Sequence, residues 1–166
     1  MKKVIIALAA MFTVALGANA QKFGHVDTQS IMQSLPELTK VNGELQAKAQ
    51  ELDNQMKEMQ DEFQKNYEAY EKAKPTLSAA DQQKRETELQ EQYTKIQGAA
   101  QQNQQDLQKL QQEKLQPIQQ KIMTAIQNVG KAGQYTYIFE ATAPLYTGAG
   151  SKDVTAEVKA EINKIK

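Results

Sequence analysis

Between residues 37 and 116 the apolar side chains recur at alternating intervals of four and three, at Leu45, Ala49, Leu52, Met56, Met59 and Phe63. This is a heptad seam, the signature of a helix that buries one narrow stripe against a second helix. Tyr67 and Tyr70 continue the stripe with a shift, and "KAKPTLSAAD" then interrupts it. Pro75 disfavours helix at Lys74, and Ser78 or Asp81 can cap a new helix. A second seam follows at Leu89, Tyr93, Ile96, Ala100, Asn103 and Leu107. Laid antiparallel, the seams pair Phe63 with Leu89 and Leu45 with Leu107, reflecting through residue 76, beside the turn signal at Pro75. The pattern predicts a helical hairpin over 37–116 with its tip between Lys74 and Ala80. Arms of about 40 residues would reach roughly 60 Å at about 1.5 Å per residue.

The flanks have shorter periods. "KFGHVD" predicts one strand, and Asp27 or Thr28 can cap a short helix over "QSIMQSL". Pro36 then opens the first long helix, where its missing donor costs nothing. "IQQKIMTAIQNVG" is helical, with Ile118, Ile122, Ile126 or Ala125, and Val129 on one face, and Gly130 or Gly133 as its stop. "YTYIFE" is the clearest strand, with "PLYTG" a second strand paired to it through "ATA". "GAGS" reads as a loop. "DVTAEVKAEINKI" is a terminal helix with Thr155 as cap and Val158, Ile162 and Ile165 on one face. The fold class is therefore α+β, a helical arm over 37–116 on a β-rich body of 21–36 plus 117–166. Pro117 costs about 3 kcal/mol inside a helix. Reflected through residue 76 it falls beside Pro36, so the two prolines predict a hinge at the shoulder of the arm.

Composition narrows the address. "MKKVIIALAAMFTVALGANA" has a basic start, an apolar run and small residues at Ala18 and Ala20, which predicts a secretory signal peptide over 1–20 cleaved after Ala20. The chain has no cysteine, hence no disulfide or thiol chemistry. Removing Lys2 and Lys3 leaves 18 basic against 20 acidic residues, a balance that does not suit nucleic acid. The middle is rich in Gln, Glu, Lys and Ala and has no tryptophan, which suits long helices better than a large core.

The order of elements, with "KFGHVDTQSIMQSLPE" at the start and "YTYIFEATAPLYTGAGSKDVTAEV" at the end, resembles the Skp/OmpH family of periplasmic chaperones over the whole mature chain. The resemblance implies a homotrimer in the periplasm, with a small β-rich body and three hairpins around a cavity. That cavity would hold unfolded outer-membrane proteins without ATP, and membrane association would be at most peripheral. The strands support part of this on their own. Two or three short strands leave open edges and too little core to stand alone. Association would bury Phe23, Val26, Tyr135, Tyr137, Ile138, Phe139 and Leu145. One feature departs from the strongly basic arms of some relatives: residues 44–72 hold eight acidic side chains and four lysines. Lipopolysaccharide binding is therefore not carried over, and client holding falls to apolar and aromatic contacts.

Met59, Phe63, Tyr67, Tyr70, Leu77 and Tyr93 are the candidate client-facing residues, since methionine adapts and tyrosine is amphipathic. The competing reading packs them between the helices. It is stronger for Met56, Met59, Phe63 and Tyr93, on the expected seam, than for Tyr67, Tyr70 and Leu77. His25, the only histidine, reads as a strand residue, since one histidine makes no metal site. "GAGSK" lacks the spacing of a phosphate loop. No catalytic set stands out, and no cofactor or metal is expected. Beside the holdase reading stands a second one, a structural coiled-coil spacer or adaptor of the cell envelope.

Overall fold

The computed structural model describes residues 21–165; the expected signal peptide lies outside them. The order is β1 (Phe23–Val26), α1 (Thr28–Ser34), α2 (Pro36–Ala73), a 3-10 turn (Lys74–Thr76), α3 (Ala79–Ala132), β2 (Tyr137–Glu140), β3 (Ser151–Asp153) and α4 (Thr155–Ile162). The class is α+β, with long helices and a small sheet. The described chain divides into two compact units, Met32–Gln120, and residues 21–31 with 121–165.

Within Met32–Gln120, α2 and the first part of α3 form an antiparallel hairpin. Pro36 sits in the first turn of α2. At the far end Ser78 is the cap: its Oγ accepts from the Asp81 amide at 3.2 Å and donates to Asp81 Oδ2 at 2.6 Å. The register differs from the one expected. Phe63 meets Tyr93, with ring centroids 6.2 Å apart, instead of Leu89. Asn66 Nδ2 donates to Gln92 Oε1 at 3.2 Å, and Lys114 Nζ lies 2.6 Å from Glu44 Oε2. These pairs centre on residues 78 to 79, not 76. The 3-10 turn carries the chain forward through Thr76, and the reversal comes at the extended Leu77 (ψ 144°). For Phe63 the displacement is four residues, about one helical turn, so a similar face meets the partner while the partner changes.

The return seam also differs. It runs through half-buried Leu89, Gln92, Ile96, Ala99 and Asn103, whereas Tyr93 and Ala100 are exposed. Residues three and four beyond Leu89 both border the same groove. Gln92 is half-buried in it and accepts from the exposed Asn66 at its edge, and the larger Tyr93 ring lies on the flank. In α2 the seam continues to Tyr70, only 6% exposed. The helix α3 is continuous over 54 residues and includes Pro117 within it. Buried Ile118 and Ile122 follow it directly on the apolar face.

The other unit holds a three-stranded sheet in the order β2-β1-β3, parallel throughout. This overturns the expected hairpin between "YTYIFE" and "PLYTG". Residues 141–150 hold no strand, with turns and bends flanking an irregular stretch at 146–148, and β3 begins at Ser151, inside the segment read as a loop. Pro144 has no amide to donate to a ladder. A tight connection could only make an antiparallel pair. Instead β1 takes a parallel partner on each side, and its ladders are extended by amides of Thr136 to Lys22 O (2.8 Å), Ala141 to Val26 O (2.8 Å) and Val154 to His25 O (2.9 Å).

Caps fix the connections. Asp27 caps α1, its Oδ1 accepting from the Ser30 amide at 2.7 Å. Thr28 instead donates from Oγ1 to Glu140 Oε2 at 2.7 Å, tying α1 to β2. Thr155 does not cap α4. The Thr155 amide donates to Asp153 Oδ1 at 2.9 Å, and Thr155 Oγ1 accepts from the Asp27 amide at 3.0 Å. α3 ends with Gln134, not glycine, in the left-handed region (φ 54°), and the Tyr135 amide reaches back to Gly130 O at 3.0 Å. Gly133 is required for another reason: a Cβ there would collide with the Tyr135 ring. Val26, Ile31, Ile122, Ala125, Val154, Val158 and Ile162 form the buried core of this unit, each no more than 4% exposed.

Candidate functional site

Alternation along the strands gives the sheet two faces. In register, Phe23 pairs with Tyr137 and Ser151, and His25 with Phe139 and Asp153. These six side chains lie on one face, and Gly24, Val26, Ile138, Glu140 and Lys152 on the other. Val26 is buried in the unit's own core. The opposite face is open. The Phe23 and Tyr137 rings stack at 6.2 Å, and Tyr137 and Phe139 at 5.8 Å. Yet Tyr137 is 57% and Phe139 44% exposed, and the adjoining loop displays Leu145 and Tyr146 almost entirely to solvent. Phe23, Phe139, Pro144 and Tyr146 line a groove of 310 Å³ on this side. Leaving this much aromatic surface in water forgoes about 1.5–3 kcal/mol for each large side chain that could be covered.

The body residues singled out from sequence therefore divide. Phe23, Tyr137, Phe139 and Leu145 belong to the open face and its rim. Val26 does not, being internal. Tyr135 is half-buried, packed beside Gly24 and Gly133, with Lys22 Nζ 4.2 Å from its ring centroid. Ile138 is half-buried on the covered face, near Gly130. Tyr146 was not singled out, although its place beside Leu145 in "PLYTG" marked a second apolar residue in the same turn. Exposed Met123 carried no signal, because its neighbours in α3 have ordinary helical spacing.

A second aromatic cluster lies on the hairpin. Phe63 stacks on Tyr67 with centroids 6.3 Å apart and meets Tyr93 at 6.2 Å. Phe63 and Met59 are half-buried in the seam, while Tyr67 and Tyr93 are 44% and 47% exposed on its flank. Tyr70, expected where the seam loosens, is inside it. Its hydroxyl donates to Glu86 Oε1 at 2.5 Å, and Lys74 Nζ sits 5.3 Å from its ring centroid. The Glu86 carboxylate holds the Tyr70 proton and raises that phenol above its ordinary range. Leu77 is half-buried at the reversal. Farther along, Lys114 beside Glu44 holds that carboxyl below the ordinary range.

Among the described residues there is no group of three metal-ligating side chains, and no helix long and apolar enough to cross a membrane. A search of curated proteins returns no match. A solved structure from Caulobacter crescentus CB15, assigned as an OmpH-like outer membrane chaperone, superimposes with a TM-score of 0.75 over 89% of this chain and 87% of that one, at 18% identity. That likeness concerns the fold. The family model described as outer membrane protein (OmpH-like) matches residues 22–162, nearly all of the described chain. The protein is thus a member of the OmpH-like family.

Proposed function

We propose that this protein is an ATP-independent periplasmic holdase for unfolded outer-membrane proteins, acting as a homotrimer. The observation that carries the reading is the aromatic sheet face of Phe23, Tyr137 and Phe139 with Leu145 at its rim, which the loop at 144–150 borders but leaves largely exposed at Tyr137, Phe139 and Leu145. A second and third copy of the chain supply the cover, at a cost in association entropy that the buried aromatic area offsets. Membership of a chaperone family supports the client reading. Tyr67, Tyr93 and Phe63 are the client contacts on the hairpin, weak and amphipathic enough to hold many sequences. Pro36 and Pro117 mark where the arm meets the body. The test is dilution of a urea-denatured outer-membrane β-barrel protein without nucleotide. Aggregation is suppressed at about one trimer per client; unchanged light scattering at excess protein contradicts the proposal.

A further inference from the structure

His25 occupies the centre of the open face. It lies on the middle strand, with Phe139 level with it on β2 and Asp153 level with it on β3. It is half-buried, and its Nδ1 is 3.0 Å from Ser151 Oγ. The face is thus aromatic on the β2 side and polar on the β3 side, with an imidazole between. Histidine is the one side chain whose ordinary titration falls between pH 5 and 8, and this chain has a single copy.

The charged groups around it are already engaged. Asp153 is the only carboxylate on the same face. Its carboxyl is held below its ordinary range first by the Thr155 hydroxyl, then by the Thr155 amide at the start of α4, with a smaller contribution from His25 itself. On the other face Lys152 pairs with Glu157 of α4 at 2.5 Å, and Glu140 accepts from Thr28 of α1. Asp27, two residues on, caps α1. Lys22 lies over Tyr135 and donates to Gly133 O at 2.8 Å. Among the described residues, an imidazolium at position 25 therefore has a nearby negative charge but no carboxylate bonded to it, and Ser151 is its hydrogen-bond partner.

We propose that His25 makes assembly pH-dependent: the neutral imidazole is covered with the aromatic face, and its protonation opens that interface. The inference rests on the trimer reading above. Covering a charged imidazole removes its hydration, and a carboxylate already bonded elsewhere compensates only in part. Assembly is then linked to proton release, so it is favoured at high pH and weakens as pH falls through the histidine range. The linkage amounts to at most about tenfold in the dissociation constant per pH unit for each protomer.

The experiment is molar mass by light scattering and sedimentation on the mature chain from pH 8 to 5.5, for wild type, His25→Gln and His25→Lys, with circular dichroism to confirm folding. The wild type passes from trimer to smaller species as pH falls. His25→Gln stays assembled throughout, and His25→Lys is dissociated even at pH 8. A trimer of constant mass across the range in the wild type overturns the switch and leaves the trimer reading standing. An identical pH response in wild type and His25→Gln also overturns it. A wild-type monomer at every pH overturns the trimer reading itself.

Discussion

The hairpin and the sheet unit bury their side chains in different ways. All four of the largest fully buried side chains, Ile31, Ile162, Val154 and Val158, belong to the sheet unit. They come from both ends of the chain, so every segment of that core depends on distant ones. Along the hairpin most seam residues are only half-buried, and Leu52 and Tyr70 are among the few that are closed off. Half-buried Gln92 is hydrogen-bonded at the edge of the seam to the exposed Asn66. Each hairpin layer is therefore held by its neighbours, and opening one layer leaves the rest in place. The sheet unit has a tight interior but an unfinished exterior, whereas the hairpin is lightly packed along its length. The first suits a joint between copies, and the second suits an arm that adapts to different clients.

Truncation of each interior measures that contrast most strongly. Ile162→Ala should cost about 4 kcal/mol in denaturant unfolding and loosen the whole sheet unit, as expected for a closed core that cannot collapse. Leu52→Ala should cost about 2 kcal/mol, with faster amide exchange confined to nearby turns of α2 and α3. Equal, global effects of both would erase the distinction.

Pro117 sharpens it at the next level. The α3 helix continues through it, but the amide that would bond to the carbonyl of Glu113 is missing. Pro117→Ala restores that bond, so exchange over residues 113–121 should slow several-fold. Unchanged exchange there removes the hinge role.

Acid gives the smallest effect. Asp153, Glu157 and Glu161 are held below the ordinary carboxylate range by Thr155, Lys152 and Lys164 respectively. A carboxyl lowered in the folded state contributes stability above its unfolded value, about pH 4, and loses it as pH falls through the folded value. Exchange in α4 should therefore rise between pH 4 and 2 before exchange at Leu52 does. The reverse order would contradict the assignment.

The hairpin was legible in the sequence because its information is local. Heptad spacing, Pro75 and the Ser78 cap each act within a few residues. What periodicity left open was the register, since i+3 and i+4 from Leu89 border one groove, and it is Gln92 that is half-buried there while Tyr93 is exposed. The sheet was legible strand by strand but not as a topology. β1 and β3 are more than a hundred residues apart, and no short-range signal tells a parallel partner from a hairpin partner. The polar tripeptide of β3, "SKD", carries no strand signature at all; its place is decided by β1 beside it. The open aromatic face shared that fate. Phe23, Tyr137 and Phe139 were recognisable as strand residues, but only the register set them side by side.

We propose that the sheet face assembles and the hairpin flank holds clients. The most direct test measures molar mass and client holding together, for Tyr137→Ser/Phe139→Ser and for Tyr67→Ser/Tyr93→Ser. The first variant should fall to a monomer and lose suppression of aggregation. The second should remain a trimer and protect clients several-fold less well. A sheet-face variant that stays trimeric, or a hairpin variant that holds clients as well as the wild type, would contradict that division of labour.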